Sequence, residues 1–271
     1  MRNFPPERII CFTEETLETL YLLGEQDRIV GVTGYAVRPL TVRKEKERVA
    51  TFTSAKIDKI ISLKPDLVLA FSDLQAEIAA ELIKNGIAVM TYNQRDIGGI
   101  LAMIRHLGAT VGVAKTAEEL ASSYERRLLN LRNKKKAAAR PLVYFEEWDS
   151  PMITGIKWVS ELIEIAGGVD IFSKLSSNDA AVKRIVTSQQ VIKAAPDIIF
   201  ASWCGKKVRP GAFKDRDGWS VMPAITNNCI YEIKSPLILQ PGPAALTEGL
   251  DKLVKILSTV DNCKARRHNS F

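Results

Sequence analysis

Two patterns of apolar and polar residues take turns along the chain. The first is a short continuous apolar run, as in Leu67-Val-Leu-Ala-Phe71 and Ile198-Ile-Phe-Ala201. A run apolar at consecutive positions suits a parallel strand covered on both faces. Such runs predict strands over residues 8–11, 29–33, 67–71 and 88–92, and again over 142–145, 198–202 and 230–232. The second pattern repeats its apolar positions at helical spacing and predicts helices over 14–23, 75–85, 98–111, 158–166, 188–194 and 243–258. Regular strand–helix alternation argues for parallel sheets in an α/β fold.

The chain also resembles itself. Residues 57–72 read I-D-K-I-I-S-L-K-P-D-L-V-L-A-F-S and residues 188–203 read S-Q-Q-V-I-K-A-A-P-D-I-I-F-A-S-W. At an offset of 131, Ile61 meets Ile192, Pro65 meets Pro196, Asp66 meets Asp197 and Ala70 meets Ala201. Each copy is a helical turn, a Pro-Asp break and an apolar strand. Proline ends the helix because it disfavours the helical region for the residue before it. Between the copies, residues 115–139 carry no strand signal, while Leu120, Tyr124, Leu128 and Leu131 recur at helical spacing. About 25 residues rising ~1.5 Å each give a rod of roughly 37 Å. The expected fold class is α/β: two Rossmann-like lobes with parallel sheets, residues 1–114 and 141–271, joined by one long rigid helix over 115–140.

Composition narrows the function. At 46% hydrophobic and 25% charged over 271 residues, the chain is too apolar to be disordered. Its longest apolar runs are strand-sized, short of the ~20 residues a bilayer needs, so no direct membrane insertion is expected. The net charge of +7 is concentrated partly at residues 132–140 and 264–268 without interleaved aromatics, so no nucleic-acid partner is expected. Cys11, Cys204, Cys229 and Cys263 are scattered, form no C-x-x-C and lean toward a reducing compartment. The start, Met1-Arg-Asn-Phe-Pro-Pro-Glu-Arg8, has no apolar h-region. The expected location is therefore the cytoplasm, or the periplasm if an export signal was trimmed.

Catalytic templates are mostly absent. The chain has no G-x-S-x-G, H-E-x-x-H, phosphate loop or G-x-G-x-x-G, and its only histidines are His106 and His268, so no metal site is expected. In α/β sheets ligands bind beyond the carboxyl ends of the strands. Those segments read Cys11-Phe-Thr-Glu-Glu15, Gly34-Tyr-Ala-Val-Arg-Pro39, Phe71-Ser-Asp-Leu-Gln75 and Tyr92-Asn-Gln-Arg-Asp96. The second half adds Phe145-Glu-Glu-Trp-Asp149, Ser202-Trp-Cys-Gly205 and Leu239-Gln-Pro-Gly-Pro243. Trp148 and Trp203 stand at strand ends, where stiff aromatic area serves a ligand. Arg38, Arg43, Arg95 and Arg209 are suited to bidentate contacts with carboxylate or phosphate, which suggests an anionic or chelating ligand. An enzyme would draw on Glu146, Glu147, Asp149, Cys204 and Arg95. However, adjacent strand residues such as Glu146 and Glu147 face opposite ways, and a thiol like Cys204 more commonly serves as a small buried hydrophobe.

Residues 6–35, P-E-R-I-I-C-F-T-E-E-T-L-E-T-L-Y-L-L-G-E-Q-D-R-I-V-G-V-T-G-Y, resemble the opening of helical-backbone (class III) substrate-binding proteins of ABC importers. Residues 57–70, 155–168 (G-I-K-W-V-S-E-L-I-E-I-A-G-G) and 191–199 extend the resemblance over most of the chain. Within the family it is to the cobalamin-binding type, whose relatives carry ferric siderophores or haem. The resemblance implies two lobes flanking a rigid helix, with the ligand in the cleft between them. It carries ligand contacts onto Phe12, Thr13, Tyr35, Phe52, Phe71, Trp148 and the Trp203 loop. The polar loop residues Arg38, Asp73, Gln75, Arg95, Glu147, Arg209 and Gln240 complete the expected ligand-binding set. The family also implies an acidic residue on each lobe that docks a permease. Glu77 matches the first, whereas the stretch after Trp219, Ser-Val-Met-Pro, holds no acid.

The expected protein is a non-catalytic monomer that holds a bulky cofactor-like ligand, cobalamin first and ferric siderophore or haem next. It would serve ABC-type uptake, with an importer permease as partner, or intracellular handling. The alternative is a cytoplasmic enzyme or cofactor-handling protein on the same scaffold.

Overall fold

A computed structural model of the chain describes residues 4–51, 53–134 and 140–268, with side chains through 259. Phe52 and residues 135–139, the end of the predicted long helix, lie outside the described residues. The chain separates into two compact units, Met1–Gln94 with Gly98–Glu125, and Arg95–Ile97 with Arg126–Phe271. The division falls inside helix Ala114–Asn133.

The first unit is a five-stranded parallel sheet in the order β3-β2-β1-β4-β5. Its strands are β1 (Ile9–Cys11), β2 (Ile29–Thr33), β3 (Arg48–Ala50), β4 (Leu67–Phe71) and β5 (Val89–Tyr92). All five residues of β4 are buried, as its unbroken apolar run requires. The order in which strands are added reverses between β1 and β4, and the crevice at such a switch is where an open α/β sheet receives ligands. Strand β3 was not predicted. Its residues Arg48, Val49 and Ala50 close a charged run from Arg43 and form no continuous apolar segment.

The second unit orders its strands β10-β9-β6-β7, with β8 also pairing β6. These are β6 (Leu142–Asp149), β7 (Met152–Thr154), β8 (Val169–Asp170), β9 (Ile198–Ala201) and β10 (Ile230–Glu232). All pairs are parallel except β6–β7, an antiparallel hairpin. The wholly parallel expectation is corrected there. The predicted strand 142–145 runs on through Glu146, Glu147 and Trp148 to Asp149, because β7 supplies a partner for these polar residues.

The Pro-Asp repeat has one physical job in both units. Asp66 Oδ2 accepts the backbone N–H groups of Glu7 and Arg8, both at 2.9 Å, and Asp197 Oδ2 accepts that of Leu142 at 2.8 Å. The Asp66 and Asp197 N–H groups in turn bond the Arg8 and Leu142 carbonyls at 2.8 Å. Each aspartate therefore anchors the start of a neighbouring strand, β1 in one unit and β6 in the other.

Helix Ala114–Asn133 buries Ala117, Ala121, Tyr124 and Leu128, while the expected Leu120 and Leu131 are half-buried at the edges of that stripe. Arg105 ties the helix down through Glu118 at 2.7 Å and Glu125 at 3.0 Å. The predicted helix 243–258 begins instead with a wider turn, Ala245–Gly249, that runs into helix Leu250–His268. A Cβ at Gly249 would collide with the Leu237 carbonyl oxygen, a backbone atom that cannot rotate away. Gly249→Ala is expected to destabilise the chain by about 1–3 kcal/mol, read as a lowered urea midpoint. An unchanged midpoint would mean that the turn relaxes to a regular helix.

Candidate functional site

At the β1–β4 switch, the first turn of helix Glu14–Leu22 is buried. Glu14 Oε1 accepts the Val37 N–H at 2.7 Å and so holds the segment after β2. Glu15 is fully buried, and neither its carboxylate oxygens nor the Thr13 hydroxyl forms a well-shaped hydrogen bond among the described residues. Burial pushes both carboxyls up to about 7, with neighbouring Thr13 offsetting only part of the effect at Glu15. At the end of β4, Ser72 adopts φ 56° and ψ 179°, a backbone conformation that only glycine takes easily. Strain of this kind costs on the order of 1–3 kcal/mol and persists where the surroundings enforce it. Ser72 and Asp73 open a groove of about 420 Å³ that runs along Ala76 and Ile83 to Thr91 and Asn93.

In the second unit, β6 directs its two glutamates to different partners. Glu146 is wholly buried and grips Arg216 at 2.6 and 2.9 Å, while also accepting from Tyr144 Oη at 3.0 Å and Trp203 Nε1 at 3.2 Å. Burial outweighs these partners and raises its carboxyl above the usual range. The Arg216 guanidinium lies 4.5 Å from the ring centres of both Phe213 and Trp219. Glu147 is claimed by buried Arg184 at 2.6 and 3.1 Å. Beyond them, Lys206 bridges to Asp149 at 2.5 Å, with its ammonium 5.5 Å from the Trp148 ring centre and 4.9 Å from that of Trp203. A depression of about 260 Å³ opens at the ends of β9 and β10, lined by Trp203, Lys206, Lys207, Glu232 and Lys234. A larger cavity of about 540 Å³ flanks helix Lys157–Ala166, away from the carboxyl ends of β9 and β10.

The sequence-predicted residues divide accordingly. Tyr35 (59% exposed), Asp73, Glu77 and Arg209 are exposed, and Trp148, Arg95 and Gln240 are half-buried. Phe12, Phe71 and Trp203 lie deeper. Phe12 is part of the first unit's core, Phe71 is buried, and Trp203 is 3% exposed and stacked on Phe213 at 5.8 Å. Thr13 is likewise buried beneath the loop surface. Gln75 is also buried, and its Oε1 accepts the Phe71 N–H at 2.9 Å and closes the loop. Arg38 is bound to Glu18 at 3.0 Å, Arg43 to the Ala36 carbonyl at 3.1 Å, and Glu147 to Arg184. Their charges hold loops in place. Sequence reasoning overlooked Arg184, Lys206 and Arg216. The spacing Phe213-x-x-Arg216-x-x-Trp219, with aromatics three residues either side of the arginine, was the available signal.

For the enzyme alternative, Glu146 is committed to Arg216, Cys204 is exposed, and His106 sits in the other unit beside Tyr92 at 3.2 Å. Among the described residues no group of three His, Cys, Asp or Glu side chains is placed to hold a metal ion. No helix of the described residues is long and apolar enough to cross a membrane.

The family pattern described as periplasmic binding protein matches residues 9–237. The chain is 29% identical over 260 residues to the uncharacterised ABC transporter substrate-binding lipoprotein YvrC of Bacillus subtilis, covering 92% of this chain and 79% of the relative. It is 25% identical over 274 residues to the vitamin B12-binding protein of Vibrio parahaemolyticus, covering 98% and 94%. Among solved structures, the periplasmic haem-binding protein RhuT from Roseiflexus sp. RS-1 superposes with a TM-score of 0.78 at 20% identity, covering 93% of this chain and 99% of that one. At that identity the likeness is one of fold.

Proposed function

Because the chain belongs to the periplasmic binding protein family and is an ABC-type substrate-binding protein, we propose that its ligand is a bulky cofactor-like molecule, a corrinoid first and haem or a ferric siderophore next. The observation that carries this reading is the match to a vitamin B12-binding protein along 98% of the chain. The local chemistry supports it. Trp148 and Tyr35 offer accessible aromatic faces at strand ends, with Asp73, Arg95, Arg209 and Gln240 as polar contacts. The chain binds and releases its ligand without altering it, as a monomer. It docks a permease through Glu77, exposed on helix Ala76–Lys84. With a lipoprotein and a periplasmic protein among its relatives, its place is outside the cytoplasmic membrane; fractionation of the native host tests this against a cytoplasmic location.

The decisive measurement is titration of the whole chain with cyanocobalamin, followed by tryptophan emission and corrin absorbance. Saturable one-to-one binding without product is expected. Trp148→Ala should weaken it by about 30-fold, since a desolvated aromatic anchor is worth roughly 2 kcal/mol or more. Binding of haemin or a ferric siderophore in place of cyanocobalamin would reorder the ligands. Turnover of any of them would favour the enzyme.

A further inference from the structure

Resting on that solute-binding reading, we propose that the depression at the ends of β9 and β10 is an anion subsite that selects ligands carrying a phosphoryl or carboxylate group. Lys206 is its specificity-determining cation. The depression gathers Lys206, Lys207 and Lys234 around one carboxylate, Glu232. Lys234 is neutralised by Glu232 at 2.8 Å. Lys207 is exposed and makes no ion pair among the described residues, acting on Glu232 only through space. The charge balance left at the mouth is positive.

Lys206 is also held in place. Asp149 Oδ2 takes one of its three N–H donors at 2.5 Å, and the ammonium lies above the indoles of Trp148 and Trp203. An indole face attracts a cation through its quadrupole but has no lone pair for it. Donors therefore remain for an incoming oxygen anion, while the lysine's 42% exposed side chain leaves that anion a path to them. Trp203 is itself fixed by its stack on Phe213 and its hydrogen bond to Glu146, so the floor beneath the ammonium is rigid. A preorganised cation loses little freedom on binding, which distinguishes it from an ordinary surface lysine.

The test titrates the whole chain with pyrophosphate and, separately, with citrate, reading emission from tryptophans that adjoin the subsite. A saturable change is expected. Lys206→Met should weaken it by about tenfold or more, the loss of a charge-assisted hydrogen bond, and Lys206→Arg should restore most of it. Lys207→Met leaves the Lys206–Asp149 pair intact and should weaken binding by a smaller factor, so the subsite stays testable if Lys206→Met misfolds. Tighter pyrophosphate assigns a phosphoryl group and tighter citrate a carboxylate. No saturable change with either anion, or affinities within twofold in both methionine variants, would overturn the subsite. If cyanocobalamin fails to bind while pyrophosphate keeps its dependence on Lys206 and Lys207, the corrinoid reading falls and the subsite stands. Cyanocobalamin binding that ignores both lysines, with no pyrophosphate response, removes the subsite alone.

Discussion

Replacing Arg216 by alanine is expected to destabilise the chain by about 3–5 kcal/mol at neutral pH, the usual cost of leaving one member of a buried ion pair unpaired. Glu146 has no exposed side-chain surface, and Arg216 is its only cationic partner among the described residues. Substitution also removes a planar group that packs over both the Phe213 and Trp219 rings. The loss therefore combines uncompensated charge with lost packing, and the two parts separate by pH. Without Arg216, the Glu146 carboxyl rises further than burial already raises it. The folded state then binds its proton more readily than the unfolded chain does, so the deficit grows as pH rises and shrinks as pH falls. Adding Glu146→Gln should recover the charge part and leave the packing part. Denaturant melts of the wild type, both single variants and the double variant between pH 5 and pH 8 measure this directly. A deficit independent of pH and unrelieved by Glu146→Gln would mean that the arginine acts only as a packing element.

Glu15→Gln should stabilise the chain at pH 8. The carboxyl is buried, and its titration point moves from 4.5 to about 7. Between those values the folded state holds a proton that the unfolded state has released, so stability falls as pH rises through the window. The corresponding energy is on the order of 3 kcal/mol at ~1.4 kcal/mol per tenfold in proton affinity. The gain from Gln should thus be near zero at pH 4.5 and complete above about pH 7. Glu14 moves the same way, raised by burial and by the nearby Glu18 charge, and its own charge adds to the rise at Glu15. Its carboxyl, however, also binds the Val37 N–H, so Glu14→Gln puts the segment after β2 at risk. Thermal melts of Glu15→Gln across pH 4–8 provide the check. A gain of equal size at every pH would show that Glu15 does not titrate in this range.

Much of the fold was legible in the chain, and the reasons are local. The runs 67–71 and 198–201 are apolar at every position because both faces of a central parallel strand are covered. The helix over 188–194 was bounded correctly, with Thr187 and Gln190 closing a reciprocal cap at its start. The Pro-Asp repeat marks corresponding places in the two units, where its aspartates hydrogen-bond the strand starts. The short strands β3, β7 and β8 stand beside charged, proline or glycine residues (Glu47, Pro151 and Gly168) and formed no apolar run that could be read. They exist because a neighbouring strand or turn supplies their partners.

The candidate site was legible as a set of segments and not as a set of side chains. Loop positions after each strand followed from the strand pattern, since the carboxyl ends of parallel strands lie at one edge of a sheet. Which side chains reach solvent there did not follow. Trp148 and Trp203 read alike in sequence, yet one is half-buried at the surface and the other stacks on Phe213, ten positions further along the chain. Glu146 and Glu147 are neighbours on β6 but bind arginines 216 and 184, which arrive from different parts of the chain. By itself, the sequence determined the elements, their alternation and the family, because these depend on period, turn chemistry and residues close along the chain. Only the tertiary structure decided which charges neutralise one another, which aromatics remain available and where Lys206, Lys207 and Lys234 gather, because burial and electrostatics depend on neighbours brought together from distant positions.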